Sequence, residues 1–475
     1  MLGARCTSIA AAGLVLGVCR VCLGVTLQPH PEVHGVDLTT VDVQPDGGTW
    51  LLGTAWDALD GARREPGPYE LRLHVDGGKD GATAQVPPCA GRGRVQLDGQ
   101  DILGGGAPIG PVLVGVGPGQ HELTVAVKVS SYERRVACGE RPRVGVVVTT
   151  REGLGLLQFA SPHGARGGGQ AVVFVPHGHD FTKPGPVLVG LHPWNGTMWT
   201  YASYAQQLRE AQARDVVLLM PSGLGNSLYT EDAEDEAMRA IDALGEVVAI
   251  DPRAVSIWGA SMGGAGATTV GFHHPDRFAS VTSFFGDSKY DVTTYVRSIL
   301  PDDPSAHRVN ALDVVDNAAH LPVWLIHGED DATSPIRQSV MLADAMRARG
   351  LDVRFDRVPG MGHAGALVAR FLTEEVDRAA SARVPQAVTR VSYTGVRPWD
   401  TGAYGVHFVR SRRTGDARVD VELRPDGVHV TRAEGVRAIV IDPDALGAPD
   451  PRPPIVVDLP DRSARVSARW AGATP

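Results

Sequence analysis

Three stretches of this 475-residue chain carry side chains able to act together on an acyl group. They are Gly259-Ala-Ser261-Met-Gly263, the run LPVWLIHGEDD ending at Asp331, and the run DVRFDRVPGMGH ending at His363. A serine hydroxyl is a poor nucleophile until a base takes its proton, and the base needs a carboxylate to orient it. The G-x-S-x-G spacing alone says little in a chain with 57 glycines. Its flanks say more: VSIWG reads as a strand and Gly263-Gly-Ala-Gly-Ala opens a helix, so Ser261 falls on a sharp strand-to-helix turn where only small neighbours fit. Its hydroxyl then stands at the C-terminal edge of a sheet, beside a helix N-terminus that favours developing negative charge.

The acid and the base lie downstream. The apolar strand of LPVWLIHG ends at Gly328, which places Asp331 on the following loop, and the strand of DVRFDRV ends near Val358, which places His363 on a glycine-rich loop before the last helix. Asp330, one residue out of register, and Asp287, after the run VTSFFG, are competing acids. His177 and His179 have the look of a metal pair, but no third ligand stands at a suitable spacing, so they read as a surface turn. His273 and His274 read as the end of a helix. No cofactor is implied.

These residues need a rigid scaffold. From residue 153 to 383, near-continuously apolar runs such as PVLVGLHP, DVVLLMPS and VTSFFG alternate with amphipathic helices through 201–214 and 234–250, after Ser261, through IRQSVMLADAMRARG, and finally to about Arg383. That texture predicts a mainly parallel sheet covered on both faces, a three-layer α/β domain. Residues 25–152 instead show short β-type runs, among them TWLLGTAW, YELRLHV, HELTVAVKV and VGVVVTT, separated by Gly/Pro clusters. Residues 384–475 return to this pattern with TRVSYTG, YGVHFVR, RVDVELRP, GVHVTRA, RAIVIDP and PPIVVDL. Both flanking regions are expected to be β-sandwich-like domains.

On GASMGG, HHPDRFAS (273–280), HGEDD and MGHAG, residues 155–382 resemble the secreted bacterial α/β-hydrolases that include feruloyl and acetylxylan esterases, polyhydroxyalkanoate depolymerases and prolyl-oligopeptidase-like hydrolases. The order Ser261, Asp331, His363 is the one expected of that fold. The resemblance implies an esterase-type acyl hydrolase with a Ser261–Asp331–His363 triad. It also implies two donors for the tetrahedral oxyanion: the N–H of Met262, and the N–H of Trp194 on the loop after PVLVGLHP. Relatives carry His-Gly-x-x-Gly on this loop, and here it reads His192-Pro-Trp-Asn-Gly196, with Pro193 in place of the usual glycine. Asn195 is an alternative amide donor, and Asn195, Trp199, Tyr201, Asn226 and Tyr229 are expected to wall a substrate pocket suited to a flat ring or a sugar.

Composition bounds the rest. With 43% hydrophobic residues, 21% charged residues, a net charge of -9 and no Lys/Arg-rich run, the chain is globular and has no electrostatic footprint for nucleic acid or an anionic membrane. Residues 1–24, with Arg5 ahead of the apolar stretch IAAAGLVLGV and a small-residue exit at Gly24, read as a secretory signal that directs the protein outside the cell or to the periplasm. A lipid anchor at Cys19 is a variant of that reading. Cleavage after Gly24 leaves Cys89 and Cys138, an even pair that reads as a disulfide stapling the N-terminal domain and worth about 4 kcal/mol in a chain-entropy model. The function expected is secreted hydrolysis of small-molecule or polymeric carboxylic esters. The alternatives are a prolyl-oligopeptidase-type peptidase using the same triad, and a polymer-binding surface protein with a vestigial hydrolase domain.

Overall fold

The computed structural model describes residues 153–163, 168–290 apart from Trp199 and Ser203, residues 296, 299–412, 415–460 and 465–472, and the strands named below between 26 and 146. The signal segment, Cys89, Cys138 and Trp199 lie outside the described residues.

One nine-stranded sheet carries the site. Its strands are β1 (Thr26–Pro29), β2 (Gly153–Ala160), β3 (Gly168–Val175), β4 (Gly185–Leu191), β5 (Val217–Pro221), β6 (Ile250–Ala260), β7 (Ser280–Phe284), β8 (Val323–Gly328) and β9 (Val353–Val358). They are ordered β1-β2-β3-β5-β4-β6-β7-β8-β9. The ladders from β1 to β5 are antiparallel and those from β5 to β9 are parallel. This is an α/β-hydrolase sheet. β1 comes from the N-terminal region and extends the same sheet, with Thr26 opposite Gln158.

Every residue of β5, β7 and β8 is buried, because helices cover both faces. The helices are α1 (Ala205–Arg214), α2 (Asp232–Val247), α3 (Met262–His273), α4 (Asp303–His307), α5 (Arg337–Arg347) and α6 (Gly365–Ser381), with a 3-10 stretch over Ala311–His320. Leu367, Leu372 and Val376 of α6 and Ala211 of α1 pack with Trp258, Phe284 and Trp324 on one face of the sheet. Ile241 and Leu244 of α2, Val270 and Phe272 of α3, and Leu342 and Met346 of α5 pack with Val189, Ile257 and Leu325 on the other. β9 sits at the edge, where its alternating charges meet water. The helix expected from 201 begins only at Ala205, and ahead of it the Tyr204 N–H donates to the Tyr201 carbonyl.

In the N-terminal region, one antiparallel sheet is ordered Leu51–Gly53, Val41–Pro45, Gly67–Asp76, Gln120–Val129, Val95–Leu97 and Gln100–Leu103. A second is ordered Arg143–Val146, Ala82–Val86 and Val112–Val116. After α6 come β10 (Arg390–Gly395), β11 (Gly402–Ala403), β12 (Val406–Arg410), β13 (Ala417–Arg424), β14 (Gly427–Glu434), β15 (Val436–Ile441), β16 (Ile455–Val457) and β17 (Ser467–Trp470). They form two four-stranded sheets, β10-β13-β14-β16 and β11-β12-β15-β17, around a core that includes Val391, Phe408, Val419, Val430 and Ile439.

Candidate active site

Ser261 lies between the end of β6 and the first residue of α3, with φ 57° and ψ -120°. A non-glycine residue holds such a backbone only where its surroundings impose it. Here the Ser261 N–H donates to the Phe284 carbonyl at the end of β7, 2.9 Å away. Close packing explains the small neighbours: a Cβ on Gly263 would lie 1.8 Å from the Leu191 carbonyl oxygen, and one on Gly259 would lie 2.3 Å from Gly263 itself. A helix this close to two strand ends needs glycine at both places.

The three segments singled out in the sequence converge. The Ser261 hydroxyl stands 2.8 Å from His363 Nε2. His363 Nδ1 stands 2.7 Å from Asp331 Oδ2. An ionised carboxylate only accepts, so Nδ1 carries the imidazole proton and Nε2 is left to accept from the serine. Burial alone would raise the Asp331 pKa, but bonds from His327, from His363 and from the Ser334 N–H outweigh it and hold the carboxyl well below the usual range. Its Oδ1 accepts the N–H groups of Thr333 and Ser334, each at 2.9 Å. The Phe285 ring lies against the His363 ring, centroids 4.5 Å apart.

Neither competing acid takes that position. Asp287 is buried and accepts the Ser334 hydroxyl, while Asp330 is exposed and its N–H donates to the Met361 carbonyl. His327, left without a role in the sequence reading although it lies in HGEDD, is fully buried. Its Nε2 is 2.8 Å from the Ser334 carbonyl and 3.5 Å from Asp331 Oδ2, and its Nδ1 is 2.8 Å from Ser339 Oγ. The spacing of four residues from Asp331 at a strand end was the available signal.

Met262 is the first residue of α3, directly after Ser261, so its N–H has no partner within the helix. The loop His192–Gly196 follows β4, with Trp194 half-buried against the core and Asn195 exposed at φ 60°. His192 is buried between the carbonyls of Pro193 and Ser222, each 2.9 Å from a ring nitrogen, and burial lowers its pKa against the opposing pull of those two carbonyls. Asn226 meets Asn195 across the gap between loops.

Two expected pocket residues are placed elsewhere. Tyr201 and Tyr229 are buried, so their rings cannot wall an open pocket. Tyr201 is stacked on Trp258, and its Oη donates to the Leu191 carbonyl and accepts the Ala260 N–H, each at 3.0 Å, tying together the ends of β4 and β6. Tyr229 Oη accepts the His192 N–H at 2.8 Å. Both lie beneath the site because each satisfies a backbone group at a strand end.

The reading of His177 and His179 as one surface turn holds only for the exposed His177. His179 is buried, with Nδ1 2.7 Å from Asp215 Oδ1. Among the described residues no group of three or more His, Cys, Asp or Glu is placed to hold a metal ion. His273 ends α3 with His274 as its C-cap.

Residues 225–381, a span that includes Ser261, Asp331 and His363, match the model of the prolyl oligopeptidase family. Among solved structures, an S-formylglutathione hydrolase from Agrobacterium tumefaciens is 20% identical, covering 49% of this chain and 95% of its own, with a TM-score of 0.43. A ferulic acid esterase is 18% identical, covering 48% of this chain and 97% of its own, with a TM-score of 0.40. Dipeptidyl peptidase 4 of Porphyromonas gingivalis is 13% identical, covering 48% of this chain and 35% of its own, with a TM-score of 0.41. No curated protein is similar to the chain in sequence. The strand order, the serine on its elbow and the family match over the same residues make the chain a serine hydrolase of the α/β-hydrolase type.

Proposed function

We propose that the chain hydrolyses carboxylic esters through an acyl-enzyme on Ser261, with His363 as general base and acid and Asp331 as its orienting carboxylate. The observation that carries this reading is the hydrogen-bonded series Ser261 Oγ, His363 Nε2, His363 Nδ1, Asp331 Oδ2. As Oγ attacks the ester carbonyl carbon, its proton passes to Nε2, and the ionised Asp331 stabilises the imidazolium. The carbonyl oxygen becomes an oxyanion facing the Met262 N–H and the His192–Gly196 loop. Collapse expels the alcohol, which takes the proton from Nε2. Water then repeats the sequence on the acyl-serine, with His363 again taking and returning one proton, and releases the acid.

The test is active-site labelling followed by substrate profiling. A fluorophosphonate should modify Ser261, and p-nitrophenyl acetate and feruloyl esters should be turned over faster than aminoacyl amides. The family match favours a second reading, a peptidase using the same three residues, and faster cleavage of the amides would select it.

A further inference from the structure

We propose that the segment 222–231 is a brace that sets the geometry of the oxyanion site, with Asn226 and Tyr229 as its positioning residues; this rests on the serine-hydrolase reading above. The segment makes polar contacts to both ends of the His192–Gly196 loop. At the first end, Tyr229 Oη accepts the His192 N–H at 2.8 Å, and His192 Nε2 lies 2.9 Å from the Ser222 carbonyl. At the second, Asn226 Oδ1 accepts the Asn195 N–H at 2.6 Å, and Asn226 Nδ2 donates to Asn195 Oδ1 at 2.8 Å. Trp194, whose N–H is the second candidate donor, is bracketed by these contacts. Because the Asn195 N–H is already bonded to Asn226, the peptide following Trp194 has a fixed orientation.

Tyr229 also packs on the helix that carries the first donor. Its ring packs so tightly on α3 that a Cβ on Gly266 would lie 2.7 Å from it. One buried side chain thus touches the helix that presents the Met262 N–H and holds the loop that presents the Trp194 N–H. The distance between two donors decides whether both reach one oxyanion, so a residue in contact with both supports is placed to set it. The backbone of the segment is consistent with this role. Leu224, Leu228, Tyr229 and Glu231 all have positive φ, between 46° and 59°, and residues of this kind persist only where packing over-determines them.

The experiment compares Asn226→Ala, Asn195→Ala and the double variant in the full chain, with Tyr229→Phe as a buried counterpart whose folding is followed by thermal melting. Readouts are kcat and KM on p-nitrophenyl acetate, the pH profile, and inhibition by a trifluoromethyl ketone, whose hemiketal oxygen occupies the oxyanion position. A brace predicts that Asn226→Ala lowers kcat about tenfold, leaves KM and the pH profile near wild type, and weakens the ketone by a similar factor. It also predicts that the double variant is no worse than either single one, since both remove the same contact. The brace is overturned if Asn226→Ala keeps kcat and ketone affinity within twofold, if only KM rises, or if the two single losses multiply. Failure of fluorophosphonate to label wild-type Ser261 overturns the hydrolase reading and the brace with it, an outcome distinct from normal labelling with an unaffected variant.

Discussion

Ser334 donates its hydroxyl to Asp287 Oδ1 at 2.6 Å, while its N–H donates to Asp331 Oδ1 at 2.9 Å. One serine therefore connects two buried carboxylates, and Asp331 is the one bonded to His363.

Parallel substitutions to asparagine at the three candidate acids should separate sharply. Asp331→Asn presents an amide that leaves the His363 tautomer unspecified, so kcat should fall about 10⁴-fold. Asp287→Asn acts on the triad through the Ser334 bridge and should cost less than about a hundredfold. Asp330→Asn, on an exposed side chain, should leave rates unchanged. Steady-state rates of the three purified variants decide the assignment, and greater damage from Asp287→Asn would move the acid to β7.

The elbow couples activity to stability. Ser261→Ala and Ser261→Gly should both lose at least about 10³-fold in kcat, because the attacking oxygen is gone. Their melting temperatures should differ, since φ at this position is 57° and glycine adopts it without a Cβ penalty. We expect the glycine variant to be more stable than the alanine variant by about 1 kcal/mol. Equal thermal unfolding of the two would mean that the elbow carries no strain.

Glu375 on α6 should make stability pH-dependent. It is fully buried, its carboxyl oxygens make no hydrogen bond within 3.5 Å, and burial pushes its pKa up to about 7 despite the nearby Arg378 and Thr282, with Glu374 adding to the rise. A carboxyl with a raised folded-state pKa binds more protons folded than unfolded, so stability falls as pH climbs from about 4.5, the unfolded value, to about 7. Glu375→Gln should flatten that decline, adding on the order of 3 kcal/mol above pH 8 and little at pH 4 to 5. Denaturant melts across this range check it, and parallel curves for variant and wild type would exclude a buried titration.

The region after α6 should unfold together with the hydrolase domain. Arg397 is fully buried at the junction, 2.5 Å from Glu234 Oε2 on α2 and 2.9 Å from Asp400 Oδ1, with His273 of α3 3.4 Å from the same Asp400 oxygen. Tyr393 Oη donates to the His273 carbonyl, and Asn317 exchanges hydrogen bonds with Thr394. Arg397→Met strands two buried carboxylates and should destabilise the protein by about 3–5 kcal/mol. Calorimetry should show wild type melting in one transition across this junction; separate transitions would make the C-terminal region an independent module.

What the sequence determined by itself is the set of features encoded within a few consecutive residues. A strand followed by small residues marks the elbow at Ser261, and apolar runs ending in polar or glycine-rich loops place Asp331 and His363 at strand ends, because strand and turn preferences are local. The same runs, buried on both faces, specified the parallel sheet. Tertiary structure alone decided which way side chains on loops point. Tyr201 and Tyr229 read as pocket walls because an aromatic ring on a loop looks the same in sequence whether it faces a substrate or a backbone N–H beneath it. Asn226 meets Asn195, 31 residues earlier, and Ser334 bonds Asp287, 47 residues earlier, only once loops far apart in the chain are brought together. Nothing local marks Arg397 or Glu234 for burial, and they are buried because each supplies the counter-ion that makes the other's loss of water tolerable, across 163 residues of sequence.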